Sequence, residues 1–192
     1  KMSISQLQAL LSPPIQHKNE ILKCLSLKDA HIYCKVNNLS GQVSGPLLEN
    51  YIKEKFNYTK VNASECKGDC EKGKEFTEIK CSLGGKEHNK FNWVQIRPNH
   101  KLDNYVLTAY HLSKENIENR GELFIFRLTK SEMADILSTD GGYAHGSITK
   151  HGKITLESIL DPMNEKEYAL RPKYGTELFK KFSKYRIQEE EL

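Results

Sequence analysis

The sequence lacks any apolar run approaching the roughly 20 residues of a membrane-spanning helix, and no apolar stretch follows its basic start as in a secretory signal peptide. We therefore expect a protein that has no membrane partner and resides in the cytoplasm. Internal repeats and low-complexity segments are also lacking. Neither charge is in strong excess, because 29 basic and 25 acidic residues give a net charge of +4. That balance permits a polyanionic partner but does not require one.

The cysteines exclude a disulfide-stapled fold. There are five of them, an odd number at irregular spacings, in a chain long enough to bury a core without covalent links. We therefore expect reduced thiols in a cytoplasmic protein. The run Cys66-x-x-x-Cys70 departs from the Cys-x-x-Cys spacing of a zinc site, and no second such pair follows, so incidental or buried thiols are favoured.

Apolar patterning predicts the fold class. The chain has 192 residues, 38% of them apolar, which suits one globular domain. A helical stripe predicts a helix that begins near Pro46. Runs rich in β-branched and aromatic residues predict strands at 59–69, 74–82, 91–97, 104–112 and 122–128. Strand runs flanked by helices predict an α/β fold (an α+β mixed sheet), with a central mixed sheet of about five strands.

We divide this single predicted domain, residues 1–192, into three parts. Residues 1–42 are an N-terminal helical extension whose role the sequence leaves open: it could dimerise, embrace a partner or cover the sheet. Residues 43–138 form the core. Residues 139–192 contain a loop at 139–152 and a closing helix over 175–185 that complete the domain.

Two acids and a lysine form the most informative pattern. Side chains alternate along a strand, so Glu78 and Lys80 share one face while Ile79 points into the core. If the hairpin turns at residues 72–73, Asp69 lies opposite Phe76 and joins that face. Asp69 and Glu78 are then diagonal neighbours about 7–8 Å apart between backbones, close enough for both carboxylates to bind one metal ion. A register slip of one residue would move Asp69 to the other face.

Two carboxylates on one face, with a carbonyl from the same strand, suit Mg²⁺, which takes oxygen ligands and keeps several waters. A neighbouring lysine can position a water and stabilise negative charge on a phosphate. Together these groups are the apparatus for hydrolysing a phosphodiester by in-line attack.

Asp69, the run Glu78-Ile79-Lys80 and the preceding helix segment Gly45-Pro46-Leu47-Leu48-Glu49 resemble, in order and context, the PD-(D/E)XK nuclease superfamily. The resemblance implies a restriction-endonuclease-like core of helix, three-stranded meander, helix and strand. One departure is that Gly68, not proline, precedes the first acid. The stretches 91–98 and 105–110 look like those of small bacterial type II restriction endonucleases of this superfamily.

The resemblance implies a role for each catalytic residue. Mg²⁺, for which Mn²⁺ can substitute, is held by Asp69, Glu78 and the Ile79 carbonyl. Lys80 serves the attacking water. Glu49 is an accessory acid that binds a second metal ion or orients a water. The implied activity is that of a type II site-specific deoxyribonuclease that cuts double-stranded DNA, with a homodimer favoured by a symmetric target and a cognate DNA methyltransferase as functional companion.

Polar residues outside the motif are candidates for contacts to DNA or for support of the site. Gln95 shares a face with Trp93 and Arg97 by alternation, so we expect it to support the active site from behind. The predicted DNA contacts are Lys86, Asn89, Lys90, Arg97, Asn99, His100, Lys101, His145, Ser147, Thr149 and Lys150.

Two other functions remain open at this level. A structure-specific nuclease of repair or recombination, similar to a junction resolvase, would keep the catalytic residues and change the substrate. A non-catalytic nucleic-acid-binding domain would leave the acidic cluster as ordinary surface.

Overall fold

A five-stranded mixed sheet and a smaller three-stranded sheet organise the structure, a computed structural model that describes residues 18–192. The α-helices are α1 (Lys18–Lys23), α2 (Leu27–Val36), α3 (Gly41–Lys55), α4 (Lys130–Asp140), α5 (Ile148–His151), α6 (Leu156–Leu160) and α7 (Glu177–Lys181). The strands are β1 (Thr59–Lys60), β2 (Cys70–Lys72), β3 (Glu75–Ser82), β4 (Trp93–Ile96), β5 (Asn104–His111), β6 (Glu122–Thr129), β7 (Gly142–Tyr143) and β8 (Tyr168–Leu170). Short 3₁₀ turns span Ala63–Glu65, Ile117–Asn119, Phe182–Tyr185 and Glu189–Glu191.

The larger sheet has the strand order β1-β2-β3-β5-β6. Strands β3 and β5 are parallel, whereas the pairs β1–β2, β2–β3 and β5–β6 are antiparallel. Helices flank this sheet, so the predicted class, a mixed α/β fold with about five strands in its central sheet, is confirmed.

The predicted strand at 91–97 lies in a different sheet from the one we expected. Only Trp93–Ile96 is extended, and it pairs with β8, which in turn pairs with β7. The physical reason is aromatic packing on the face of the main sheet. Phe91 and Trp93 are fully buried there, and the Trp93 indole Nε1 donates to the Thr108 carbonyl of β5 at 3.0 Å.

The predicted strand at 59–69 is also shorter than expected. Strand β1 ends at Lys60 because Asn62 begins a 3₁₀ turn over Ala63–Glu65. The Asn62 side chain accepts a hydrogen bond from the Ser64 backbone N–H at 3.1 Å. Such local side-chain bonds compete with pairing in a sheet.

The helix predicted near Pro46 begins earlier, at Gly41, after the N-cap residue Ser40. Proline has no N–H to donate, but Pro46 lies only six residues into the helix and the chain accommodates it there. The apolar stripe is as predicted: Leu48 and Ile52 are fully buried against the sheet. This helix therefore presents its neighbouring residue Glu49 close to the sheet.

Two apolar clusters cover the two faces of the main sheet. Helices α2 and α3 pack with Ile79 and Val106 on one face. On the other face, Tyr105 and Leu107 pack beneath the smaller sheet and helices α4, α6 and α7. Helix α3 is followed by β1, β2 and β3, which form an antiparallel meander. The described residues 83–103 contain β4 and no helix, whereas the resemblance to nucleases implies a helix after the meander.

Helix α2 shows what part of the predicted N-terminal extension does. The buried His31 accepts at Nε2 a hydrogen bond from the Thr108 hydroxyl of β5, and its Nδ1 donates to the Leu27 carbonyl, both at 2.8 Å. Burial lowers the pKa of His31 to about 4. The extension thus covers the sheet at α2, while its residues 1–17 lie outside the described residues.

The C-terminal part is more structured than a loop and one helix. The predicted loop at 139–152 contains β7 and α5. The predicted closing helix over 175–185 is α7 followed by a 3₁₀ turn, and Phe179 and Phe182 are buried as its apolar side. All five cysteines are free thiols. Within residues 18–192, no helix is long and apolar enough to cross a membrane.

Candidate active site

Strand β3 presents Glu78 and Lys80 on one face, as alternation predicts. Ile79 between them is fully buried against the helical layer. Phe76, two residues before Glu78, packs against the opposite cluster, so Glu78 and Lys80 point towards the smaller sheet. The Lys80 ammonium lies 3.7 Å from the Glu78 Oε1 atom. Both are largely shielded, since 4% of the Glu78 side chain and 16% of the Lys80 side chain are exposed.

Asp69 is fixed beside these two residues, immediately before β2. Its backbone N–H donates to the Thr77 carbonyl at 2.9 Å, and its Oδ2 accepts from the Ile79 backbone N–H at 2.9 Å. Gly68 precedes it with a φ of 85°, and a Cβ there would lie 3.0 Å from the Thr77 carbonyl oxygen. Only glycine therefore allows the backbone this approach to β3.

The hairpin register differs from the one we expected. Lys72 pairs with Glu75 and Cys70 with Thr77, so the turn is at residues 73–74. The prediction that Asp69 lies opposite Phe76 is wrong, because Glu71 takes that place. The shift is two residues, so it preserves the face of every paired side chain. Asp69 lies one residue before the paired stretch, and its N–H bonds to the carbonyl of Thr77, the residue that pairs with Cys70, so Asp69 does not continue the register opposite Glu78.

Glu49 joins this group from helix α3. Burial raises the pKa of Glu49 to about 6, and the negative charge of Asp69 adds to the rise. The positive charges of Lys80 and Lys53 lower it in part. Glu49 is therefore in electrostatic reach of both Asp69 and Lys80. Since α3 covers the face opposite to Glu78, the two glutamates approach Asp69 from the two sides of the sheet.

Glu78 is the most unusual ionisable group in the site. Only 3% of the residue is exposed, and its Oε2 atom is buried without a hydrogen-bond partner among the described residues. Burial raises the pKa of Glu78 to about 7. The carboxylates of Asp69 and Glu49 add to this rise, whereas the charge of Lys80 opposes it. A buried acceptor with no donor is costly, and a cation would satisfy it.

The donor atoms fit a hard divalent cation. The N–H and C=O of one strand residue face the same side, so the Ile79 carbonyl faces the side on which Asp69 accepts the Ile79 N–H. Two carboxylates and a carbonyl suit Mg²⁺, which takes the remaining ligands from water. Within residues 18–192, no group of three or more His, Cys, Asp and Glu side chains is arranged to hold a metal ion. The described residues therefore offer at most this partial set of metal ligands.

The loop at 97–101 contains those predicted DNA contacts that lie beside the site. Burial lowers the pKa of His100, and the charges of Arg97 and Lys80 lower it further. The Lys101 backbone N–H donates to the Cys66 carbonyl at 2.8 Å, which joins this loop to the segment before Asp69. Asn99 is the fourth predicted DNA contact in this loop. Its side-chain oxygen is buried without a hydrogen-bond partner among the described residues.

The predicted contacts after β3 lie in a separate loop. Lys86 and Lys90 are exposed, and Asn89 is half-buried. The Asn89 carbonyl accepts from the Tyr174 N–H at 2.8 Å, and Lys90 forms an isolated bridge with Lys173. This loop is thus anchored to the segment before α7, not to the loop at 97–101.

The remaining predicted contacts lie in the C-terminal part. All four are exposed, around the start of α5: His145, Ser147, Thr149 and Lys150. No hydrogen bond or ion pair between described residues links these four to Asp69 or Glu78.

Gln95 does not share a face with Trp93 as alternation predicted. A register shift lies between Trp93 and Ile96, and Gln95 has a φ of 58° and is exposed, whereas Trp93 and Ile96 are buried. The bulge turns Gln95 outwards, since an extra residue reverses the alternation.

Two features of the site escaped the sequence reasoning. Glu167 accepts from Arg97 Nε at 3.1 Å and from Nη2 at 2.9 Å, and no local pattern signals a partner so distant in the chain. Lys53 lies four residues after Glu49 on α3, and that spacing does place both on one helical face. The helical pattern therefore contained a signal for Lys53 but none for Glu167.

No protein-family model, curated protein or solved structure compared with this chain matches it.

Proposed function

We propose that this chain is a Mg²⁺-dependent endonuclease of the PD-(D/E)XK type that hydrolyses phosphodiester bonds in double-stranded DNA in the cytoplasm. The convergence of Asp69, Glu78 and Lys80 at the start of β2 supports this proposal most directly. The partnerless buried oxygen of Glu78 points to a cationic ligand at that position. A short specific target, as for a type II restriction endonuclease, is the proposed substrate.

Each residue has a chemical role in this proposal. Asp69, Glu78 and the Ile79 carbonyl would hold Mg²⁺, which supplies stabilisation of negative charge on the phosphate undergoing attack. Lys80 donates hydrogen bonds to a phosphate oxygen or orients the attacking water. The water oxygen bonds to phosphorus as the bond to the 3′ oxygen breaks, which leaves a 5′ phosphate and a 3′ hydroxyl.

Glu49 is suited to handle the proton of that water. Its pKa of about 6 leaves the carboxylate mostly ionised at neutral pH, while keeping it more basic than an ordinary glutamate. An acid–base group works best when its pKa lies near the operating pH.

The DNA would approach the side of the sheet where the loop at 97–101 adjoins Asp69. Arg97 and His100 provide the nearest predicted phosphate contacts, and the exposed segment at 145–150 would reach a groove further away. A symmetric target would call for a homodimer, and a methyltransferase would protect the host DNA.

The proposal is tested by digestion of plasmid DNA with Mg²⁺. Wild-type protein should produce discrete, sequence-dependent fragments, and Asp69→Asn or Lys80→Ala should reduce cleavage by at least about 100-fold, the range expected for loss of one group that stabilises the transition state. Asp135→Asn and Lys114→Ala are matched controls on exposed surface and should cut normally. Undiminished cleavage by Lys80→Ala would contradict the proposed mechanism, in which Lys80 contacts the phosphate or the attacking water.

The same experiment separates the alternative functions. Preference for a four-way junction over linear duplex would identify a resolvase-like substrate with the same catalytic residues. DNA binding without hydrolysis at any Mg²⁺ concentration would identify a non-catalytic binding domain.

A further inference from the structure

A pocket of about 450 Å³ opens beside Asp69, on the side of β1 and the end of α3. We call it the lysine pocket. It is lined by Lys53, Lys60, Val61, Asn62, Ala63, Gly68 and Asp69. None of the first five of these residues belongs to the nuclease motif, so the pocket extends the site beyond the proposed catalytic group.

The charges of the pocket suit an anion. The ammonium groups of Lys53 and Lys60 form no hydrogen bond and no ion pair with any residue in the described part of the chain. The positive charge of Lys53 acts on the pKa of Glu49, which places this lysine towards the catalytic group. Two ammonium groups that have no hydrogen-bond or ion-pair partner of their own, beside the proposed catalytic group, attract phosphate.

The pocket also has a neutral donor. The Asn62 side-chain oxygen accepts from both the backbone N–H and the hydroxyl of Ser64, each at 3.1 Å. The amide NH₂ of Asn62 therefore keeps its hydrogens for a ligand. An ammonium pair with an amide donor is a suitable set for phosphate oxygens, which only accept.

The backbone around the pocket is held in place without a ligand. The Val61 N–H donates to the Asp69 carbonyl at 3.2 Å, so the strand that carries Lys60 is tied to the segment that carries Asp69. The Lys101 N–H fixes the Cys66 carbonyl from the other side. A preformed site loses less entropy on binding than one that must be ordered.

We propose that the lysine pocket binds a backbone phosphate of the DNA strand being cut, at a linkage adjacent to the scissile one. This inference rests on the proposed function, because it takes Asp69 as the catalytic position. Lys53 and Lys60 would then fix the register of the strand so that the neighbouring linkage lies at Asp69 and Glu78. Such contacts position the DNA and carry no sequence information.

The first test measures the salt dependence of binding to a short DNA duplex by fluorescence anisotropy, in EDTA and in Ca²⁺. Each lysine that neutralises a phosphate contributes about 0.9 to the slope of log affinity against log salt. The double variant Lys53→Gln/Lys60→Gln should lower that slope by about 2 and weaken binding by about tenfold or more at low salt. Lys114→Gln, on exposed surface after β5, is the matched control and should change neither.

The second test locates the phosphate. Neutral methylphosphonate linkages are placed one at a time on each side of the cut, and kcat/KM is measured for wild type and the double variant. A methylphosphonate at one adjacent linkage should lower the kcat/KM of the wild type but not that of the double variant, because the variant has already lost its contact with that phosphate. Equal effects at every linkage would overturn the inference.

The outcomes keep the two proposals distinct. A lowered salt slope in a protein that never cleaves DNA would support the lysine pocket as a phosphate site and refute the nuclease function. Normal cleavage with an unchanged slope in the double variant would refute the lysine pocket and leave the nuclease function intact.

Discussion

Glu78 is the residue on which the site depends most. It is an acid that the fold buries at a cost, with one oxygen that no described group satisfies. Proteins keep such groups where function requires them, at the expense of stability. The sequence predicted that Glu78 and Lys80 share a face, because alternation along a strand is a local property. It did not predict the burial of Glu78, which depends on the smaller sheet packed over it.

A substitution at Glu78 should therefore make the metal-free protein more stable. The folded pKa of about 7 lies above the unfolded value of 4.5, so the folded state holds the proton more tightly and loses stability as pH rises between these values. Glutamine cannot ionise. Glu78→Gln should raise the free energy of unfolding at pH 8 by up to about 3 kcal/mol, from the 1.36 kcal/mol that each pKa unit represents.

Urea denaturation in EDTA at pH 8 and pH 4.5 measures this gain. It should be present at pH 8, shrink as the pH falls below 7 and be small near pH 4.5, where the wild-type carboxyl is protonated in the folded state and half protonated in the unfolded chain. Glu157→Gln, on the exposed side of α6, should give no such pH dependence. A variant no more stable than wild type at pH 8 would contradict the account of Glu78.

At the scale of elements, the β2–β3 hairpin shows why the sequence predicted the sheet face of its paired side chains but not the pairing register of its two strands. The turn at residues 73–74 has a positive φ at both positions, 65° at Gly73 and 98° at Lys74. Type I′ hairpin turns require this, but lysine adopts it rarely, so the sequence favoured a turn one residue earlier. Moving a two-residue turn by one position shifts the pairing by two residues, which leaves every side chain on its face.

Gly68 and Gly73 give a matched pair of substitutions. Both have a positive φ, so alanine should cost about 1–2 kcal/mol at either position. Alanine at position 73 would contact nothing within 4 Å, whereas at position 68 it would press on the Thr77 carbonyl. Gly68→Ala should therefore cost more than Gly73→Ala and should displace the neighbouring Asp69.

Thermal denaturation and Mg²⁺ binding separate these two effects. Gly73→Ala should lose stability but bind Mg²⁺ like the wild type. Gly68→Ala should bind it at least about tenfold more weakly, in line with the loss seen when groups that orient metal ligands are changed. If both variants bound Mg²⁺ equally well, the close approach at Gly68 would not be what positions Asp69.

Strand β4 shows where local patterns fail. Alternation placed Gln95 beside the site, but the bulge between Trp93 and Ile96 turns it to the surface. A bulge depends on what the strand pairs with, here β8, which lies far along the chain. Sequence periodicity contains no information on that pairing.

At the scale of the whole molecule, the sequence predicted the mixed α/β class and the layer of helices. These follow from summed apolar patterns along each segment. The smaller sheet and the ion pair of Arg97 with Glu167, 70 residues apart, were not predictable, because they arise only once distant segments pack together. The lysine pocket has the same origin, since it joins the end of α3 to β1 and the segment before β2.

The central claim is that Asp69, Glu78 and Lys80 surround a divalent cation, and calorimetric titration with Mg²⁺ tests it most directly. Wild-type protein should bind Mg²⁺ with measurable heat at pH 8, and at about pH 6 it should also release protons on binding, because Glu78 is then mostly protonated and must ionise. Asp69→Asn should abolish the signal, and Asp135→Asn, on the exposed side of α4, should retain it. Binding that is equal in Asp69→Asn and wild type, or a wild-type protein that binds no Mg²⁺, would contradict the account.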